Sequence, residues 1–211
     1  MTRGRFITLE GLEGAGKSTQ IATVQRIVEG AGFEVVVTRE PGGTPLAERI
    51  RELALSPREE AVPPLAELLL MFAARCLHLE GLVRPALAGG AWVICDRFTD
   101  ATIAYQGGGR GLPLELIRTL AQAAHGDLWP DLTLLLDVDP ATGLARAGRR
   151  GAADRFEREE LAFFERIRAA YLALAREAPG RIVVIDGGRP ATDVALDVEH
   201  RMRRLLSDYR K

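Results

Sequence analysis

The stretch from Arg5 to Val28 constrains the fold more than any other part of this sequence. An apolar run, Arg5–Glu10 with Phe6, Ile7 and Leu9, reads as a buried strand and leads directly into Gly11-Leu12-Glu13-Gly14-Ala15-Gly16-Lys17-Ser18. A helical pattern follows, with Ile21, Val24, Ile27 and Val28 on one face and Gly30 and Gly32 at its end. Strand, glycine-rich turn and helix in this order match the spacing of a phosphate-cradling loop, Gly-x-x-x-x-Gly-Lys-Ser. Glycines let backbone amides turn inward around a polyphosphate, and the helix N-terminus adds a partial positive charge. Lys17 is expected to reach the β- and γ-phosphates and Ser18 to hold Mg²⁺. The alternative is a glycine-rich turn that binds nothing. Against it stands the lysine itself: of 28 basic side chains only Lys17 and the terminal Lys211 are lysine, the rest arginine. An arginine-rich composition does not explain a lysine kept where a compact point charge fits and a wide guanidinium does not.

The rest of the chain alternates strand and helix. Glu34–Thr38, Ala91–Cys95, Leu132–Val138 and Arg181–Asp186 read as further strands, making five. Pro45, Pro64 and Pro113 open helices, Asp139 and Pro140 cap and begin another, and two more are expected near 159–177 and 193–206. Pro85 should kink the long helix from Pro64 or make its last part separate. Tyr105-Gln106-Gly107-Gly108-Gly109-Arg110-Gly111 reads as something other than helix interior, a flexible segment suited to a planar base or simply a mobile loop. Strands joined by helices imply crossover units and a parallel sheet covered on both faces. With 211 residues and no visible repeat or linker, residues 1–211 are read as one domain.

Composition excludes several classes. Apolar residues make up 47% and charged residues 27%, which argues against disorder. The net charge of −1 lacks the basic excess of a general nucleic-acid binder. No apolar run approaches the roughly 18 residues of a membrane span, and an acidic residue arrives too early for a signal peptide. Cys76 and Cys95 make no disulfide framework, and three scattered histidines make no zinc motif, so a reduced, cytoplasmic setting is expected.

Other constellations gather where strands end. Asp96-Arg97 follows the third strand, at the carboxyl edge where open parallel sheets bind ligands. Asp96 is read as a Mg²⁺ holder through water and Arg97 as a phosphate contact; an N-cap with a solvated arginine is the alternative. Arg39 and Arg51 flank Glu40-Pro41-Gly42-Gly43-Thr44 after the second strand. Arg146, Arg149, Arg150 and Arg155 form a run that is either a solvated face or a cationic lid for phosphoryl transfer.

Together the segments Gly11 to Thr19, Thr38-Arg39-Glu40-Pro41-Gly42-Gly43-Thr44, Phe72-Ala73-Ala74-Arg75, Asp96-Arg97-Phe98-Thr99-Asp100, Ala104-Tyr105-Gln106-Gly107 and Asp154-Arg155-Phe156-Glu157 resemble bacterial thymidylate kinase over essentially the whole chain. The resemblance implies a P-loop kinase fold, a five-stranded parallel sheet flanked by helices on both faces, with a small helical lid at about 146–157. It implies transfer of the γ-phosphoryl of ATP to dTMP with Mg²⁺, usually in a homodimer, with no nucleic-acid or membrane partner. ATP would lie on Gly11, Leu12, Glu13, Gly14, Ala15, Gly16, Lys17, Ser18 and Thr19. Glu13 would contact the sugar 3′-hydroxyl, and Arg39, Arg51 and Arg97 would surround the dTMP phosphate. Arg75, Thr102 and Gln106 would bind the thymine edge, with Tyr105 near the deoxyribose. Lys17, Arg97, Arg150 and Arg155 would be the catalytic cations, because Gly14 stands where some relatives carry an arginine.

One departure concerns the thymine stack. The family's phenylalanine, four residues before the arginine matching Arg75, is Met71 here, and Phe72 lies three before; one residue turns a helical side chain by about 100°. Either residue is left as the stacking group, or both as core. The rival functions are another nucleoside monophosphate or deoxynucleoside kinase, and a nucleotide-binding switch or regulatory ATPase; the acceptor-side arginines disfavour the switch.

Overall fold

The computed structural model describes residues 3–149, 155–157 and 159–209. Five strands, β1 (Phe6–Glu10), β2 (Val35–Arg39), β3 (Trp92–Asp96), β4 (Leu132–Asp137) and β5 (Ile182–Asp186), form one sheet in the order β2-β3-β1-β4-β5. Every pairing is parallel. Between them run α1 (Lys17–Gly30), α2 (Pro45–Leu55), α3 (Pro64–His78), α4 (Arg84–Ala88), α5 (Thr99–Thr102), α6 (Leu114–His125), α7 (Pro140–Ala147), α8 (Leu161–Glu177) and α9 (Ala191–Tyr209).

Alternation along the strands builds two separate faces. Ile7, Leu9, Trp92 and Ile94 join Val24, Val28, Val198 and Met202 of α1 and α9 in the main core, whereas Phe6, Val93 and Cys95 pack with Leu79, Val83 and Leu87. Central β1 is buried at every residue, as a strand covered on both faces must be. The edge strands leave Val37 and Val184 exposed. Because β3 and β4 lie on opposite sides of β1, the strand order switches there, and a crevice opens beyond its carboxyl end. Register brings the functional ends level, Leu9 beside Asp96 and Arg39 beside Asp96.

One segment differs from the sequence expectation, and one meets it. Residues 105–109 are not a loop: α5 continues as a π-helical segment, Ile103–Gly109. Its glycines serve close packing. A Cβ on Gly108 would stand 2.6 Å from Ala170 Cβ of α8, and one on Gly109 would stand 2.6 Å from Phe163 Cε2. Glycine, read as a helix breaker, is here what lets the π segment lie against α8; the wider i→i+5 turn closes with Arg110 N donating to Tyr105 O at 2.9 Å. At Pro85 the expected break is present, and the last part of the helix is separate. The helix widens into a π turn, Leu79–Val83, and resumes as α4 with Pro85 in its first turn, where a missing N–H costs least.

Candidate active site

The phosphate loop closes β1 onto α1. Gly14 (φ 70°) and Gly16 (φ 92°) adopt the left-handed backbone that favours glycine. At Gly14 a side chain is also excluded sterically, because its Cβ would stand 2.0 Å from the carbonyl oxygen of Gly143 in α7. Lys17 begins α1 and is buried, its Nζ donating to Gly11 O at 3.1 Å and Leu12 O at 3.0 Å. Burial, and then the nearby Arg97 charge, push its pKa down to about 8. Ser18 and Thr19 are exposed at the helix start. Asp96, at the end of β3, has a buried Oδ1 with no hydrogen-bond partner among the described residues. A buried carboxylate oxygen without a partner and an exposed hydroxyl are hard-oxygen donors of the kind that suits Mg²⁺.

Arg97 sits at φ 71°, unusual for a residue with a side chain. The turn is tied down by Arg97 N on Leu9 O at 3.0 Å and by Phe98 N on the buried Glu10 Oε1 at 2.7 Å. Its guanidinium lies 4.7 Å over the Tyr105 ring, donates to Glu13 Oε1 at 2.8 Å and reaches Tyr171 Oη at 3.3 Å. Tyr105 Oη lies 2.7 and 2.8 Å from the two Glu13 oxygens, with one proton to give to either. Burial opposes ionisation of Glu13, but Arg97, Lys17 and Tyr105 outweigh it and hold its pKa below the ordinary range. For Glu10, burial and the neighbouring Asp100 prevail, and its pKa is pushed up to about 8.

A cavity of about 200 Å³ extends from Lys17, Asp96 and Arg97 toward α3 and the π segment. At its far end Arg75 Nε donates to Glu40 Oε2 at 2.7 Å, and its Nη2 donates to Thr102 Oγ1 at 3.0 Å. Glu40 also meets His78 Nδ1 at 2.9 Å, and His78 Nε2 lies 2.7 Å from Thr38 Oγ1. This buried carboxylate, held low by Arg75 and His78 against its burial, orients the guanidinium from behind. Arg75 Nη1 is buried without a partner among the described residues. An unmet buried donor costs about 1–3 kcal/mol unless a ligand accepts from it.

The cavity wall brings together Glu13, Arg51, Met71, Arg75, Arg97, Thr102, Tyr105 and Gln106 of the expected monophosphate site. Two expected residues lie elsewhere. Arg39 is exposed and paired with Glu48 at 2.9 Å. Phe72 packs with Leu68, Ile103, Ile117 and Ala121 in a core cluster, while Met71 takes the cavity position; the 100° step decides between them. Arg51 also donates to Pro41 O at 2.8 Å.

In the arginine run, Arg146 donates to Gly187 O at 2.8 Å and Gly188 O at 3.0 Å. Arg149 is exposed, and Arg150 and Asp154 lie outside the described residues. Arg155 does not line the cavity: it donates to Glu67 Oε2 at 2.6 Å and Ala54 O at 3.0 Å, and the next residue, Phe156, forms part of the wall. Sequence reasoning missed Glu67, Glu10 and Tyr171. A signal existed for Glu67, which shares the i, i+4, i+8 face of α3 with Met71 and Arg75. For Tyr171 none existed, since only packing of α8 brings it to Glu10, at 2.7 Å.

The family profile described as thymidylate kinase matches residues 9–198. The thymidylate kinase of Alkalilimnicola ehrlichii is 56% identical over 210 residues, covering 99% of this chain and 97% of that protein. That of Teredinibacter turnerae is 54% identical over 203 residues, covering 96% and 99%. Among solved structures, thymidylate kinase from Ehrlichia chaffeensis superposes with a TM-score of 0.76 at 35% identity, covering 95% of this chain and 99% of that one.

Proposed function

The chain belongs to the thymidylate kinase family, and from that premise we infer that it transfers the γ-phosphoryl group of ATP to the 5′-phosphate of dTMP, giving dTDP and ADP. The observation that carries the acceptor assignment is the Nη1 of Arg75, a residue of the cavity wall: it is buried and has no partner among the described residues, a donor suited to an acceptor such as thymine O4. Glu13 and Tyr105 would then lie along the deoxyribose, with Arg97 and Arg51 at the acceptor phosphate. Lys17 would leave the loop carbonyls for the β- and γ-phosphates. A phosphate oxygen of dTMP attacks the γ-phosphorus as the bond to the β,γ-bridging oxygen breaks; no proton need be removed, so positioning and charge do the catalytic work. Mg²⁺, held by Ser18 and by Asp96 through water, would neutralise charge on the donor phosphates.

The chain is read as one domain with its lid at about 146–157, where Arg150 is the remaining candidate for a transfer cation. Arg155, bound to Glu67, would reach the phosphates only by leaving that carboxylate. We further propose a homodimer through the exposed Leu65 and Leu69 of α3 and Leu46 and Leu53 of the adjoining α2, an apolar surface that water disfavours. A cytoplasmic setting fits two free thiols and nucleotide substrates. Among the described residues no helix is long and apolar enough to cross a membrane.

ADP release measured with dTMP, dUMP, dCMP, AMP, GMP or no acceptor tests this reading. Turnover should be highest with dTMP and lower with dUMP, which lacks only a methyl group. Equal efficiency with dCMP would overturn the acceptor assignment, and acceptor-independent release would favour a regulatory ATPase.

A further inference from the structure

Glu67 is fully buried in α3, yet it is not part of the cavity wall. Its Oε1 accepts from Gln106 Nε2 at 2.8 Å and from Arg110 Nε at 3.3 Å, and its Oε2 accepts from Arg155 Nη2 at 2.6 Å and lies 3.3 Å from Arg110 Nη2. Arg110 is anchored in turn by Glu159 at 2.6 Å. One desolvated carboxylate thus joins α3, the π segment and residue 155. Between two guanidinium groups it can only accept, so the amide face that Gln106 turns toward it must be the NH₂. That leaves the Gln106 carbonyl oxygen for the cavity that Gln106 lines.

We propose that Glu67 is a specificity-determining positioning residue: by holding the Gln106 amide in one orientation, it makes that side chain a hydrogen-bond acceptor for the base. This rests on the thymidylate reading of the cavity. With Arg75 Nη1 as donor, the two groups form a donor–acceptor pair. Thymine and uracil answer it with O4, an acceptor, and N3–H, a donor. Cytosine presents an amino donor and a bare N3 acceptor, so both contacts are reversed. If the amide turned over, Gln106 would offer a donor beside cytosine N3 and half of the discrimination would vanish. Specificity against cytosine would then come from a residue that never touches the base.

The test compares kcat/KM for dTMP and dCMP in the parent, Glu67→Gln, Gln106→Leu and the double variant, with the KM for ATP and the melting temperature as controls. A neutral amide at 67 both donates and accepts, so it no longer fixes Gln106. The dTMP-over-dCMP ratio should fall by about tenfold or more in Glu67→Gln, with KM for ATP unchanged. In the Gln106→Leu background the same substitution should move the ratio by less than about twofold, because the residue it acts through is gone. A ratio in Glu67→Gln within about twofold of the parent, or losses that add in the double variant, overturns the proposal. A parent that does not prefer dTMP would instead sink the functional reading beneath it. Should Glu67→Gln fail to fold, the parent enzyme supplies the answer. The Gln106 side-chain amide protons, observed by NMR, should exchange slowly with solvent, and exchange as fast as in a free glutamine overturns the proposal.

Discussion

Lys17 has its ammonium on the carbonyls of Gly11 and Leu12, and burial together with Arg97 pushes its pKa down to about 8. The negative charge of a polyphosphate in the loop would outweigh both causes and favour the charged form. At about pH 8.5 ATP binding should therefore be accompanied by proton uptake, read by calorimetry in buffers of different ionisation enthalpy, and the uptake should fade toward about pH 6.5, where Lys17 is already charged. Lys17→Met should abolish the uptake and lower turnover by on the order of 10² or more. Near-normal turnover in the folded variant would remove Lys17 from the chemistry. Met71 and Phe72 pose the second question at this scale. Met71 is on the cavity wall and Phe72 in the core. Met71→Ala should raise the KM for dTMP and spare that for ATP. Phe72→Ala should cost about 3–5 kcal/mol of stability, as core phenylalanine truncations do. A stable Phe72→Ala enzyme with selectively weakened dTMP binding would reverse the assignment.

At the scale of elements, the π segment carries Tyr105 and Gln106 to the cavity on a backbone pressed against α8. Gly108 has no room for a side chain beside Ala170. Gly108→Val should destabilise the protein by about 1–3 kcal/mol, the usual cost of overpacking, and should raise the KM for dTMP more than that for ATP. Unchanged melting temperature and unchanged dTMP affinity would show that the two helices part without strain. The proposed lid, at about 146–157, is the second element. Gly14 cannot be replaced by arginine while it lies against Gly143, which fits the proposal that the transfer cation comes from the 146–157 segment. Arg150→Ala should lower kcat by about tenfold or more, roughly 1.4 kcal/mol, with little change in dTMP binding. Arg155→Ala, by contrast, should loosen the docked Phe156 and act mainly on the KM for dTMP. Parent-like kcat and KM in both variants would reduce the run to a solvated face.

For the whole molecule, the exposed leucines of α2 and α3 are an apolar surface that is costly to leave in water. Leu65→Glu combined with Leu69→Glu should yield a folded monomer by sedimentation, because like charges would face each other across a two-fold axis. An unchanged dimer would move the interface off this face, and a monomeric parent would end the dimer proposal.

Much of this protein follows from local sequence. The strand, glycine turn and helix at the start, the prolines that open helices, and five apolar runs depend on periodicity and backbone preference, which act over a few residues. Arg75, Gln106, Tyr105 and Arg97 were legible as polar groups in motif context, and all four line one cavity. Tertiary structure alone decided the rest. Glycines 107 to 109 read as a loop because glycine weakens a helix locally, but dense packing, of Gly107 against α6 and of Gly108 and Gly109 against α8, outweighs that preference. Glu10 and Tyr171 meet across 161 residues of sequence, and Glu67 acts through partners 39 and 88 residues away; no local pattern encodes such distances. Which of Met71 and Phe72 meets the cavity depends on the rotation of α3 about its axis, and that rotation is set by the neighbours it packs against.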